Sequence, residues 1–205
     1  MKKLMLSLLS IFFLTLSVKS QQINNIRYFD IDSKEISKSI FEEKRANHAV
    51  LDISGDSLNH RKLIKREEQG KIGNRKELIA LLQNASHKKI DTLQQIVIIY
   101  YPGPDPCNAN GNTSFITSAY KEIEKGVRDI ANAKTLYIYK DIAGLEKYKN
   151  AIPWIKDPEQ IVEKTFFKHP YPCSSFTVIS KDGSYFSYFG EFYSGFVLEI
   201  SKKMR

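Results

Sequence analysis

The sequence predicts an α/β fold, a central sheet flanked by helices and preceded by an α+β extension. Three observations carry that reading. Ile96-Val97-Ile98-Ile99-Tyr100-Tyr101 is an unbroken apolar, β-branched and aromatic run, the pattern of a strand buried on both faces. Ile116, Ala119, Tyr120, Ile123, Val127 and Ile130 then recur at helical spacing, and Thr135-Leu136-Tyr137-Ile138-Tyr139 follows as a second strand. Strand, long amphipathic helix and strand in that order make the β-α-β unit of a parallel pair.

The chain divides into three expected segments: a leader over 1–20, an N-terminal extension over 21–92 and the α/β domain over 93–205. Met1-Lys2-Lys3, an apolar run from Leu4 to Leu16, and Val18-Lys19-Ser20 are the basic, apolar and small-residue order of a signal peptide, with cleavage expected after Ser20. A retained N-terminal anchor is the alternative. The run is short against the ~20 residues that a membrane span needs, and no later stretch approaches that length. Removal of such a leader places the chain in the periplasm or outside the cell, where a cysteine pair can stay oxidised. The formal charge of +8 falls to +5 once Lys2, Lys3 and Lys19 leave. The remaining cations are interleaved with acids, as in Phe41-Glu42-Glu43-Lys44-Arg45, with no basic stripe of the kind that binds nucleic acid.

In the extension, Ile26, Tyr28 and Phe29 suggest a strand ending at Asp32-Ser33, and Ile36, Ile40 and Phe41 recur at helical spacing. Val50-Leu51-Asp52-Ile53 reads as a short strand before a Gly55-Asp56 turn, and Lys62-Leu63-Ile64-Lys65-Arg66-Glu67-Glu68 as solvated surface. Asn74 with Glu77 three residues on is a helix N-cap pattern, and Leu78, Leu81, Leu82 and Ala85 line one face of the helix it starts. In the α/β domain a looser stretch runs from Asp141 to Lys156. Asp157-Pro158-Glu159-Gln160 sets up a short helix carrying Ile161, Val162 and Thr165. Phe176-Thr177-Val178-Ile179, an Asp182-Gly183 turn and Tyr185 to Phe189 form a hairpin, and Ser194 to Ile200 starts a terminal helix.

Cys107 and Cys173 are the only cysteines, and each lies in a proline-rich turn beside a strand: Pro102-Gly103-Pro104-Asp105-Pro106-Cys107 and His169-Pro170-Tyr171-Pro172-Cys173. Taken from the residues alone, they stand as a catalytic pair, a structural disulfide or two separate thiols. His48, His60, His87 and His169 show no metal-ligand spacing, and no cofactor or metal is expected. Nucleotide loops, catalytic triads and paired-carboxylate motifs do not appear. The aromatic residues from Phe176 to Phe196 suit a half-buried sheet, and any that face outward would offer a surface to a protein partner.

From Ile96 onward the order is strand, cysteine turn, long helix, strand, helix, proline turn, hairpin and terminal helix. This order resembles the thioredoxin fold, in particular its envelope redoxin members, over the last 110 or so residues. Ile98 to Cys107 looks like the strand and redox turn of that family, Pro172 like the cis-proline facing the turn, and Lys181-Asp182-Gly183 with Gly190 like the redoxin ending. The redox members carry two cysteines separated by two residues, one a low-pKa thiolate and the other resolving the mixed disulfide. Here the earlier position falls close to Asp105, which raises a nearby thiol's pKa by repulsion and cannot resolve a disulfide. The resemblance brings the two turns together, and so implies a Cys107–Cys173 pair that staples a non-catalytic binding or structural module. Its alternative is a thiol-disulfide oxidoreductase or thiol peroxidase with Cys107 as nucleophile and Cys173 as resolving thiol. Pro172, Asp105 and Tyr101 are the residues expected to form the binding loop that faces the cysteines.

Overall fold

A computed structural model describes residues 26–106, 112–148 and 151–205, and among these residues ten strands and five α-helices form. The expected leader and Cys107 lie outside the described residues. The first four strands, β1 (Arg27–Phe29), β2 (Glu35–Ile36), β3 (Val50–Ser54) and β4 (His60–Lys65), form a small sheet in the order β2-β1-β4-β3. Helix α1 (Lys38–Arg45) starts where the Ser37 hydroxyl accepts the Ile40 N–H, and it seats Phe41 against Tyr28 of β1. Ile36, expected on that helix, belongs to β2 instead. The Ser37 cap sets the helix start one residue beyond it.

The larger sheet runs β5 (Glu67–Lys71), β10 (Ser184–Tyr188), β9 (Ser175–Ile179), β6 (Ile96–Tyr101), β7 (Lys134–Tyr139) and β8 (Trp154–Lys156) from edge to edge. β6, β7 and β8 are mutually parallel; β9 runs antiparallel to β6, and β10 to both β9 and β5. The α/β class, the parallel β6–β7 pair and the β9–β10 hairpin are as the sequence predicts. Segment 21–92 contributes to both sheets: β1 to β4 form their own, while β5 joins the larger one at its outer edge.

All six residues of β6 are buried, because each face of the sheet has its own helical cover. Ile96, Ile98 and Tyr100 pack with Leu78, Ile79 and Leu82 of α2 (Arg75–Ser86) and with Val162 and Phe166 of α4 (Ile161–Phe166). Val97, Ile99 and Tyr101 pack on the other side with Ile123 and Val127 of α3 (Thr113–Ala131) and Val197 and Ile200 of α5 (Ser194–Lys203). Alternate side chains of one strand thus feed two cores, each isoleucine contributing ~1.5–3 kcal/mol of burial. On β9 and β10 the buried hydroxyls are paired: the Ser187 hydroxyl donates to Thr177 Oγ1, which donates to the Phe186 carbonyl.

Three helix ends use asparagine where a left-handed or capping residue is needed. Asn112 Oδ1 accepts the N–H groups of Ser114 and Phe115 at the start of α3, and Asn132, at φ 49°, closes its end. Asn74 caps α2 through the Glu77 N–H, as its spacing predicts. The expected helix at Asp157 divides into a 3-10 turn, Pro158–Gln160, in which Glu159 and Gln160 take left-handed φ values, and α4. The Asp157 carboxylate reaches past that turn to accept the N–H groups of Val162 at 3.0 Å and Glu163 at 2.8 Å.

Candidate functional site

The carboxyl ends of β6 and β7 open onto a cleft of about 460 Å³. Its floor and walls come from four stretches: Tyr100 to Asp105 after β6, Lys140 and Asp141 after β7, Glu163 and Phe167 of the α4 region, and His169 to Pro172 before β9. Parallel strands joined by crossovers present all their following loops at one end of a sheet, which gathers residues far apart in the chain.

The two cysteine turns meet at the edge of this cleft. Pro102 stops β6, and Gly103, at φ 127°, turns the chain against the Asp141 side chain. Asp105 then reaches across, and its Oδ2 accepts the backbone N–H of Cys173 at 2.7 Å. Cys173 is itself at φ 60°, an orientation that turns its amide out of the strand direction. Asp105 and Cys173 are 68 residues apart in sequence, so this contact joins the two turns directly. The Pro172 turn departs from the expectation that it holds a cis-proline: no peptide bond among the described residues is cis. The positive φ of Cys173 provides the change of direction before β9.

Tyr101 and Tyr100 point to opposite faces, as neighbours in a strand must. Tyr101 is buried on the α3 side, packs against Trp154, and donates its hydroxyl to the Ala143 carbonyl at 2.8 Å. Burial pushes its phenol up to about 12. Tyr100, not Tyr101, lines the cleft, stacked on Phe167 with ring centroids 4.5 Å apart. Its hydroxyl finds no hydrogen-bond partner among the described residues, and burial first, with Glu163 and Asp157 nearby, pushes its phenol far up. It therefore stays protonated throughout the physiological range. Pro172 lines the same cleft as Asp105, beside a Tyr171 ring stacked on Phe189 at 3.9 Å.

The polar complement of the cleft is an ion pair, Lys140 Nζ to Glu163 Oε1 at 2.5 Å, with the Asp105 and Asp141 carboxylates and His169. Desolvation, and then the Lys62 charge, hold the His169 imidazole below its ordinary value, so it is mainly neutral at pH 7. Among the described residues no three histidine, cysteine or carboxylate side chains cluster as a metal site would require. The arrangement is an aromatic-walled recess with two neutral phenols, Tyr100 and Tyr171, one ion pair, the Asp105 and Asp141 carboxylates and a histidine, which suits holding a ligand. Tyr100, Lys140 and Glu163 escape sequence reasoning: the tyrosine is embedded in an apolar run, and the other two meet only through the crossover after β7. The one available signal is a charged residue directly after a buried strand, at Lys140.

No family model and no curated protein matches this chain. Among solved structures it is similar to the exposed lipoprotein thioredoxin of Streptococcus pneumoniae strain TIGR4, at 13% identity and a TM-score of 0.39, over 76% of this chain and 99% of that one. Among the described residues no helix is long and apolar enough to cross a membrane.

Proposed function

We propose that this chain is an exported thioredoxin-like binding module whose two cysteine turns are stapled by a Cys107–Cys173 disulfide. The observation that carries the reading is the 2.7 Å hydrogen bond from the Cys173 amide to Asp105, two residues before Cys107. Two residues of chain extend at most about 7 Å, and a disulfide spans about 4.4–6.8 Å between Cα atoms, so a Cys107–Cys173 bridge is compatible with this contact between the turns. No free cysteine stands among the described residues, which agrees with pairing. The thioredoxin-like assignment is supported by the chain order β6-α3-β7-α4-β9-β10-α5, with antiparallel β9 beside β6. Export is supported by the signal-peptide order of residues 1–20 and suits a permanent disulfide. The partner held by the module is a protein, bound at the cleft.

A staple and a redox centre differ in the laboratory. Non-reducing mass spectrometry with thiol alkylation, on mature protein taken from its own compartment, is expected to find no alkylated cysteine. Closing the 66-residue loop between the cysteines contributes on the order of 4 kcal/mol in the chain-entropy model, so Cys173→Ser is expected to lower unfolding stability by about that amount. Thiol-disulfide exchange with glutathione is expected to be slow. Fast exchange, or turnover of a disulfide or peroxide substrate by the purified protein, would overturn the staple and favour Cys107 as a nucleophile resolved by Cys173.

A further inference from the structure

At the end of the sheet opposite the cysteine turns, β7 is only half paired. Its last three residues, Tyr137, Ile138 and Tyr139, pair with Trp154, Ile155 and Lys156 of β8. Lys134, Thr135 and Leu136 have β6 on one side, and on the other side no strand among the described residues. The direction of their backbone groups follows from the ladder. The N–H of Lys134 donates to Gln95 and that of Lys140 to Tyr101, both towards β6, whereas the Tyr139 carbonyl accepts from Asp157 on the β8 side. Residues of a parallel strand alternate between their two neighbours. Thr135 therefore turns its N–H and C=O towards the open side.

That side is a groove, not bulk surface. Two adjoining recesses of about 900 and 350 Å³ share Glu124, Lys134 and Thr135, so they run continuously along the unpaired stretch of β7, between the end of α2 and the outer face of α3. Thr135 is 8% exposed, and its Oγ1 has no hydrogen-bond partner among the described residues. An open ladder position leaves the Thr135 N–H and C=O as a template for an added strand. The charge of the walls selects among strands. Lys88, Lys89, Arg128 and Lys134 face two carboxylates, Asp91 and Glu124, and Lys156 extends the basic side along β8. Among the described residues the ion pair of Arg128 is an exposed 3.8 Å contact with Asp129.

We propose that this groove binds an extended acidic peptide segment of a partner protein as an added strand on β7. Its backbone pairs with the Thr135 N–H and C=O, and its carboxylates lie among the lysines. Main-chain pairing supplies affinity in this mode of recognition, and the alternating side chains supply selectivity. The groove is independent of the cysteine turns, so it stands or falls separately from the staple.

The probe is a fluorescein-labelled peptide of roughly eight residues alternating valine and glutamate, a length that spans the groove in extended form. Binding is measured by anisotropy on the mature, oxidised protein at low ionic strength. Saturable binding is expected, weakened at least about tenfold when lysine replaces glutamate, when alternate valines are N-methylated, or in the Lys89→Glu/Lys134→Glu variant. The N-methylated arm leaves the protein unaltered and so does not depend on the variant's folding. Amide shifts in 15N spectra are expected to centre on Thr135 and its neighbours. Failure to bind at millimolar peptide, equal binding of the lysine or N-methylated peptide, or shifts centred on Cys173 would each overturn the proposal.

Discussion

Asp157 offers a sharp test of how the cleft is held. The residue is 6% exposed, and its two carboxylate oxygens accept the N–H groups of Val162 and Glu163, the opening amides of α4. That six-residue helix is too short to persist on its own, yet it delivers Val162 and Phe166, both fully buried, and positions Glu163 for Lys140. Asp157→Ala removes both acceptors and strands two amides, one of them buried. A hydrogen bond to a charged acceptor contributes ~1.5–3 kcal/mol, and part of the exposed loss is recovered by water at Glu163. The expected cost is therefore about 2–4 kcal/mol, or a fall of roughly 6–12 °C in Tm for a chain of this size. Asp157→Asn keeps one acceptor and is expected to lose about half as much. Urea unfolding followed by circular dichroism measures both. The reasoning is refuted if the alanine variant lies within about 0.5 kcal/mol of the parent, or if asparagine costs as much as alanine.

Two carboxylates should respond to pH in opposite senses. Burial raises the folded pKa of Asp157, so its ionised form is disfavoured by folding, and its contribution improves as pH falls through that raised value. Asp182, held down to about 2 by the Ser184 amide and hydroxyl and by Lys71, contributes stability that is present above its unfolded pKa and lost as pH falls towards 2. Comparing unfolding between pH 2 and 6 for the parent and for Asp182→Asn tests this: the parent's acid loss should shrink in the variant, and an unchanged profile refutes the assignment. Gly126 lies where α3 crosses α5, and a Cβ there would collide with Leu198 Cδ2. Gly126→Val is expected to cost about 1–3 kcal/mol by overpacking. Much of that cost should return in a Gly126→Val/Leu198→Ala chain, and a double-mutant cycle with no coupling would contradict the contact.

The elements legible in the sequence are those whose partners leave a periodic trace. β6 reads as a continuous apolar run because helices cover both its faces, and α3 shows its stripe because one side meets the sheet. The Asp182-Gly183 turn gives away the last hairpin, with Gly183 at φ 88°. β4 and β5 are less visible: His60 to Lys71 is crowded with charge, and only Leu63 and Ile64 of that stretch are buried. Their strand form comes from pairing with β3 and with β10, not from local alternation. β8 is three residues long and exists because β7 offers an edge, which no local window encodes. The cleft is hidden for the same reason. Lys140 and Glu163 lie 23 residues apart, and Tyr100 looks like one more core residue until the sheet turns it away from Tyr101.

The seam between β5 and β10 has a consequence for how the chain reaches its native state. Lys71 and Asp182, 111 residues apart, meet where the end of β5 lies beside the turn of the final hairpin. During synthesis β5 emerges long before its partner, and it must wait unpaired while the whole β-α-β unit is made. Such a distant closure slows folding and leaves a bare strand edge exposed in the meantime. Glu67 and Glu68 at the head of β5, and Lys71 at its foot, put charge along that waiting edge, a guard against pairing with the wrong chain.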